Sequence, residues 1–353
     1  MTRQEEKIGI IYHPDYLIHS HVQHPERKER LEYINAALQE NIILEKVVRI
    51  DPFPAAVEDL TLVHDRNYIK SIEDACQSGR GFLDMDTYIV PDSYRVALLS
   101  VGGALTGLKV ILDQGKENLN KVFVFNRPPG HHAENNRAMG FCLFNNIAVA
   151  AAAAKRDYGF KKIAIVDWDV HHGNGTQHSF EEDPEVLFIS THQSPAFPGT
   201  GRVEDTGRGR GQGFNVNIPL PPGTGDSEYK QAFERIIIPI LDQYKPELLL
   251  ISAGQDAYHR DPLAGMAMTE AGYSYMAEQL AEAAGRWCKG KLLLCLEGGY
   301  HLQGQAGIIV QVLNTLGKWG LEKPGQNQDG EPAGHIMNRL EQVIQIQKTF
   351  WDL

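Results

Sequence analysis

Cysteine is scarce in this chain: four in 353 residues, Cys76, Cys142, Cys288 and Cys295. None has CxxC spacing, and three stand beside apolar or aromatic neighbours (Phe141, Trp287, Leu294). A disulfide framework and a cysteine metal cluster are thereby excluded, and buried reduced thiols are expected. Positive charge is also short. Lys and Arg number 34 against 45 Asp and Glu, a formal net charge of −11, so a basic footprint for nucleic acid is missing. An acidic field instead favours cationic partners such as Lys-rich peptides or polyamines. Long hydrophobic runs are lacking too. The best candidate, residues 96–112, is broken by Ser100, Gly102, Gly103, Gly107 and Lys109 and reads as a buried helix rather than a membrane span. Residues 1–7 are polar and charged, without the apolar stretch of a secretory signal. The expectation is a cytoplasmic protein that engages neither nucleic acid nor membrane, with a homo-oligomer left open.

What is present fits a globular enzyme: 42% hydrophobic and 22% charged residues, in a chain long enough to bury a core without a covalent staple. That length allows one large α/β domain or two smaller ones. Apolar runs of strand character recur at 8–12, 122–125, 163–166, 186–190, 248–252 and 292–296. Helix-like stretches lie among them at 25–38, 96–112, 147–158, 226–244 and 269–287. Continuous apolar strands alternating with amphipathic helices predict an α/β fold, a mostly parallel sheet covered by helices on both faces. The Gly- and Pro-rich stretch 197–225 reads as long loops. The expected organisation is a catalytic domain over 1–320 and a C-terminal linker with a docked helix over 321–353. Within that tail, a polar segment at 323–334 precedes a helix at 336–350.

In sheets of this kind ligands bind beyond the carboxyl ends of the strands. Four expected strand ends run into reactive residues: Asn126–Arg127–Pro128–Pro129–Gly130–His131–His132, Asp167–Trp168–Asp169–Val170–His171–His172–Gly173–Asn174, Ala253–Gly254–Gln255–Asp256, and Glu297–Gly298–Gly299–Tyr300. Alternate residues of an extended segment share a face, so Asp167, Asp169 and His171 point one way. Asp169 and His171 can grip one cation if Asp256 arrives from another strand. Two carboxylates and one imidazole leave an open coordination position, as in catalytic rather than structural zinc sites. Spacing alone leaves Mn2+ and Fe2+ open. His131 or His132 can take a proton from a water near neutral pH. Asp167 is suited to orienting a histidine or binding a monovalent cation, Asn174 to orienting without charge, and Tyr300 to reaching a substrate carbonyl after two flexible glycines.

These motifs in this order, with Phe197–Pro198–Gly199–Thr200–Gly201, His24–Pro25–Glu26 and Val63–His64–Asp65, resemble the histone deacetylase family, of class II type, over residues 8–317. The resemblance implies an arginase-like single domain with Zn2+ held by Asp169, His171 and Asp256. It implies His132 as general base and acid, His131 as an electrostatic partner backed by Asp167, and Tyr300 polarising the scissile carbonyl. Phe141 and Phe197 would wall an acyl-lysine channel, with Gly140, Gly298 and Gly299 alongside, Leu263 at the rim and Asp86 holding the substrate backbone. Structural K+ or Na+ sites would fall at Asp167, Asp169, His171, Ser190 and Thr191, and at Phe180, Asp183, Val186 and Phe214. The expected activity is amide hydrolysis on acyl-lysine peptide or protein, or on acetylated polyamine. Asn174 stands where class I members carry aspartate, and Leu263 where polyamine-selective relatives use glutamate. Tyr300 follows the pattern of acetyl-lysine hydrolases. Two rivals are weighed against this. A binuclear Mn2+ ureohydrolase would need another carboxylate where Gly173 stands, and a non-catalytic acyl-lysine or polyamine binder would not need the acid/base residues.

Overall fold

Among the described residues, eight strands form one sheet: β1 Ile8–Ile11, β2 Val47–Ile50, β3 Lys121–Val124, β4 Ile163–Asp167, β5 Val186–Gln193, β6 Asn215–Leu220, β7 Leu248–Ala253 and β8 Leu292–Leu296. Their order is β2-β1-β3-β8-β7-β4-β5-β6 and every pairing is parallel. The structure, a computed structural model, describes residues 5–113, 118–321 and 332–353.

Alternation along the strands explains why both faces are covered. On β4, Ala164 and Val166 enter one apolar cluster while Ile163 and Ile165 enter another. The first cluster packs under helices Glu29–Glu40, Glu270–Trp287 and Leu302–Gly317, the second under Ser93–Asp113 and Asn146–Tyr158. A strand buried on both faces reads as an unbroken apolar run. Helix Ser93–Asp113 is long and apolar enough to cross a membrane by length and composition. Here Val96, Leu99, Val101, Ala104 and Leu108 are buried inside the protein.

The six expected strands occupy the six central positions, and the two that sequence reading missed, β2 and β6, are the edges. Edge strands tolerate what central ones do not: β2 carries Arg49, and β6 carries Asn215, Asn217 and Pro219. The expectation of loops throughout 197–225 is therefore corrected by β6, which pairs with β5 from Phe188↔Asn215 to Gln193↔Leu220. The single helix expected at 226–244 is three pieces, Asp226–Ala232, a π-helical turn at Phe233–Ile237, and Ile238–Tyr244. Pro239, lacking an N–H, sits at the start of the last piece, which accounts for the change of hydrogen-bond register. Helix Gly334–Gln347 buries Ile336, Leu340, Val343 and Ile344 against the body. Most of the polar segment expected at 323–334 lies outside the described residues.

A buried ion-pair network underlies the loops at the carboxyl ends of the strands. Glu26, Arg30 and Arg127 are each fully buried. Arg127 Nε donates to Glu26 Oε1 at 2.6 Å and Arg30 Nη1 to the same oxygen at 3.2 Å. Arg30 Nε reaches the carbonyl of Gly299 at 2.8 Å. Removing the carboxylate would strand two buried guanidinium charges. Glu26→Ala is expected to lower unfolding free energy by about 3–5 kcal/mol, read from urea melts. A loss within 1 kcal/mol would mean the network is dispensable for stability.

Candidate active site and metal centre

The ends of β4 and β7 bring Asp169, His171 and Asp256 together. One ligand atom from each lies within 4.8 Å of the others. His171 Nδ1 stands 3.3 Å from Asp169 Oδ1 and 3.2 Å from Asp256 Oδ2. Backbone N–H groups aim the carboxylates: His171 and Gly298 donate to the two oxygens of Asp169 at 2.9 and 2.7 Å, and Val170 to Asp256 Oδ1 at 2.9 Å. Both carboxylates are fully buried. Among the described residues, the ion pairs of Asp167, Asp169 and the His171-facing Asp256 are with histidines alone. Burial and the facing Asp169 push Asp256 above its ordinary range, whereas burial of Asp169 is outweighed by His131 and His171. Two facing buried carboxylates with one imidazole and no Lys or Arg partner form a donor set that fits a divalent cation. The backbone is shaped to the same end: a Cβ on Gly298 would lie 2.1 Å from Asp256 Oδ2 and 2.7 Å from Asp169 Oδ2, and one on Gly254 2.0 Å from Asp169 Oδ2.

The rings of the two histidines after β3 lie against each other at a tilt of 42°, centroids 3.9 Å apart, yet have different partners. His131 Nδ1 meets Asp167 Oδ2 at 3.0 Å, and its Nε2 lies 3.8 Å from Asp169 Oδ1. Burial alone would lower His131, but the charges of Asp169 and Asp167 reverse that and raise it to about 10. His132 Nδ1 lies 2.8 Å from Asn174 Oδ1. The Asn174 amide nitrogen donates elsewhere, to the His132 carbonyl at 3.2 Å and to Glu134, so Oδ1 is the acceptor and His132 Nδ1 carries the proton. His132 Nε2 is left with its lone pair. Burial, with His131 and His171 nearby, holds His132 well below the usual imidazole range, so that lone pair is free at neutral pH.

A cavity of about 230 Å³ opens above these groups, lined by Asp86, Pro129, His131, His132, Gly140, Phe141, His171, Phe197, Leu263, Gly298 and Tyr300. Phe197 stands edge-on to His132 at 5.0 Å, and Phe141 edge-on to Tyr300 at 5.8 Å. The two aromatic walls thus each lean on one polar group of the floor. Gly140, at φ +56°, passes so close that a Cβ would lie 2.4 Å from His132 Cδ2. Phe141 itself adopts φ +69°, a left-handed conformation unusual for a bulky residue, and so turns its ring into the cavity. Leu263 and Phe197 are exposed at the mouth. Asp86, there too, is raised by burial and by Asp84. Burial raises the Tyr300 phenol well above its ordinary value, so it stays protonated, with the Arg30 guanidinium 4.9 Å from its ring centroid.

Two carboxylates to which the sequence assigned no role hold this arrangement in place. Glu297 Oε2 accepts the N–H groups of Gly130 and His131 at 2.7 and 3.1 Å. Asp261 Oδ2 accepts those of Tyr300 and His301 at 2.7 and 3.1 Å. Glu297 was visible as the residue after an apolar strand; Asp261 gave no signal.

Some of the residues expected to hold monovalent cations are neighbours. Asp167 pairs in register with Ser190 across β4 and β5, and Thr191 Oγ1 lies 3.4 Å from the Asp167 carbonyl. Around Phe180, Asp183, Val186 and Phe214, the N–H of Asp183 bonds the Phe180 carbonyl at 2.9 Å and that of Val186 the Asp183 carbonyl at 3.2 Å. The Asp183 carboxylate pairs with Lys155.

Comparison with known proteins gives a consistent picture. The histone deacetylase domain family matches residues 24–316. A protein of Archaeoglobus fulgidus named as a probable deacetylase is 44% identical over 84% of this chain and 82% of its own. The histone deacetylase-like amidohydrolase of Pseudomonas aeruginosa is 41% identical over 79% and 72%. Among solved structures, the HDA15 HD domain superposes with a TM-score of 0.90 at 34% identity, covering 98% of this chain and 95% of that one.

Proposed function

The chain belongs to the histone deacetylase family, with that family's arginase-like α/β fold, and from this premise we propose that it is a zinc-dependent deacylase acting on Nε-acetyl-lysine or a related acylated amine. The observation that carries the reading is the convergence of Asp169, His171 and Asp256 at the floor of a narrow aromatic-walled cavity, beside an imidazole with a free Nε2.

Asp169, His171 and Asp256 would hold the metal. When bound, Zn2+ supplies a Lewis acid toward an amide oxygen and lowers the pKa of water toward about 7. The chain's own groups do the rest. Phe141 and Phe197 admit a linear alkyl amine between their faces and exclude bulk water. His132 Nε2 takes the proton of the attacking water and later gives it to the departing amine. The Tyr300 hydroxyl donates to the oxygen on which charge develops. His131, held cationic by Asp167, adds positive charge beside the same centre. K+ or Na+ at the two monovalent-cation sites would be structural.

Asp86 at the rim can accept backbone N–H groups of a peptide or an ammonium of an acetylated polyamine, so both substrate classes need comparison. Rates on an acetyl-lysine peptide, a longer acyl-lysine peptide and acetylated polyamines test the reading. Hydrolysis of at least one with liberation of the free amine is expected, with the acetyl-lysine peptide favoured because Leu263 offers no charge at the mouth. Zinc-loaded protein that binds these amides without cleaving them would establish a binding module instead.

A further inference from the structure

Asn174 is uncharged, and alone it would steady a protonated His132 less than a carboxylate does. A carboxylate stands one residue further out. Asn174 Nδ2 donates to Glu134 Oε1 while its Oδ1 faces His132 Nδ1. His178 Nδ1 lies 2.9 and 2.8 Å from the two oxygens of the same carboxylate. Asn174 and His178 are one turn apart on helix Asn174–Phe180, so both project from one face. Together they grip Glu134 from two sides. Its backbone is fixed as well, with the Glu134 carbonyl 2.9 Å from His64 Nδ1. His178 and Asn174 hold the Glu134 carboxyl below its usual range against the opposing effect of burial, so it is charged at neutral pH.

We propose that Glu134 is a positioning residue for His132, acting through Asn174 and anchored by His178; the assignment rests on His132 being the general base. An amide can present either end. Were Asn174 to turn over, its nitrogen would face His132 Nδ1, the imidazole proton would move to Nε2, and the lone pair would sit on Nδ1 against Asn174, leaving Nε2 unable to accept a proton from water. Glu134, an acceptor only, makes that orientation unfavourable. Its charge also polarises the amide, enriching Oδ1 and stabilising the imidazolium.

The test compares Glu134→Gln, which keeps size but can donate as well as accept, in the wild-type and N174D backgrounds. In the wild type, E134Q is expected to lower kcat roughly 10-fold with KM unchanged. In N174D, where the histidine's partner cannot turn over, the same change is expected to cost less than about twofold. A fall of equal size in both backgrounds, or a fall in KM alone, would overturn the proposal. A readout independent of turnover is the tautomer of His132 from ring 15N shifts of histidine-labelled protein: Nδ1-protonated in the wild type, with Nε2-protonated signal appearing in E134Q. An unchanged tautomer would likewise overturn it. Should E134Q fail to fold, His178→Ala must shift the tautomer in the same direction, and no shift contradicts the link. If the wild type cleaves no acyl amide, the base assignment fails, while the tautomer measurement still judges the Glu134 contact by itself.

Discussion

His132→Ala is expected to lower kcat on an acetyl-lysine peptide by at least ~10²-fold while peptide and metal still bind. The expectation follows from three features of the site. His132 has its Nδ1 proton fixed by Asn174 Oδ1 at 2.8 Å, so its other nitrogen is a base rather than a donor. Its neighbour cannot substitute: His131 is raised to about 10 by Asp169 and Asp167 after the opposing effect of burial, and stays a cation at neutral pH. The third imidazole, His171, faces Asp169 and Asp256 and would serve as a metal ligand. One available lone pair among three neighbouring imidazoles makes the loss from a single substitution large. Tyr300→Phe should show a comparable fall in kcat, because its phenol is the uncharged donor at the cavity floor. Near-normal turnover in His132→Ala, measured at saturating peptide, would reassign the base.

A second large effect is expected from a residue that offers no ligand. Gly298→Ala places a methyl group 2.1 Å from Asp256 Oδ2 and 2.7 Å from Asp169 Oδ2. Neither carboxylate can retreat freely, since Val170, His171 and Gly298 itself hold their oxygens through backbone N–H groups. Zinc affinity is expected to fall at least as far as when an outer partner of a metal ligand is removed, roughly 10–100-fold, and activity with it. Gly285→Ala is the control. It lies on helix Glu270–Trp287 with nothing near its would-be Cβ. There alanine should leave metal binding unchanged and add about 0.5–1 kcal/mol of stability. Full zinc affinity in Gly298→Ala would show that the carboxylates are not held where the backbone places them.

The parts of this molecule that were legible in the sequence share a physical cause. Central strands such as β4 and β7 are covered on both faces, so they spell unbroken apolar runs. The edges β2 and β6 have an open side that tolerates Arg49 and Pro219, and their patterns dissolve into what looks like loop. The metal-type residues were readable because parallel sheets deliver them just after strand ends, in short runs such as that from Asp167 to Asn174. Residues that act by holding a neighbour were not. Glu134 sits in a polar loop with Asn135, Asn136 and Arg137 and reads as surface; only the fold brings it under Asn174. Asp261 is of the same kind, a buried carboxylate whose partners are backbone N–H groups that no sequence pattern records. The left-handed turn at Phe141 is likewise invisible, since the residue type argues against it.

Diffraction at the zinc edge from crystals of the zinc-loaded chain tests the central claim most directly. One anomalous peak per chain is predicted, about 2.0–2.2 Å from carboxylate oxygens of Asp169 and Asp256 and from His171 Nδ1, with a coordination position facing the cavity. Two peaks about 3.5–4 Å apart would indicate a binuclear hydrolase. A peak that avoids any one of the three side chains would contradict the account outright.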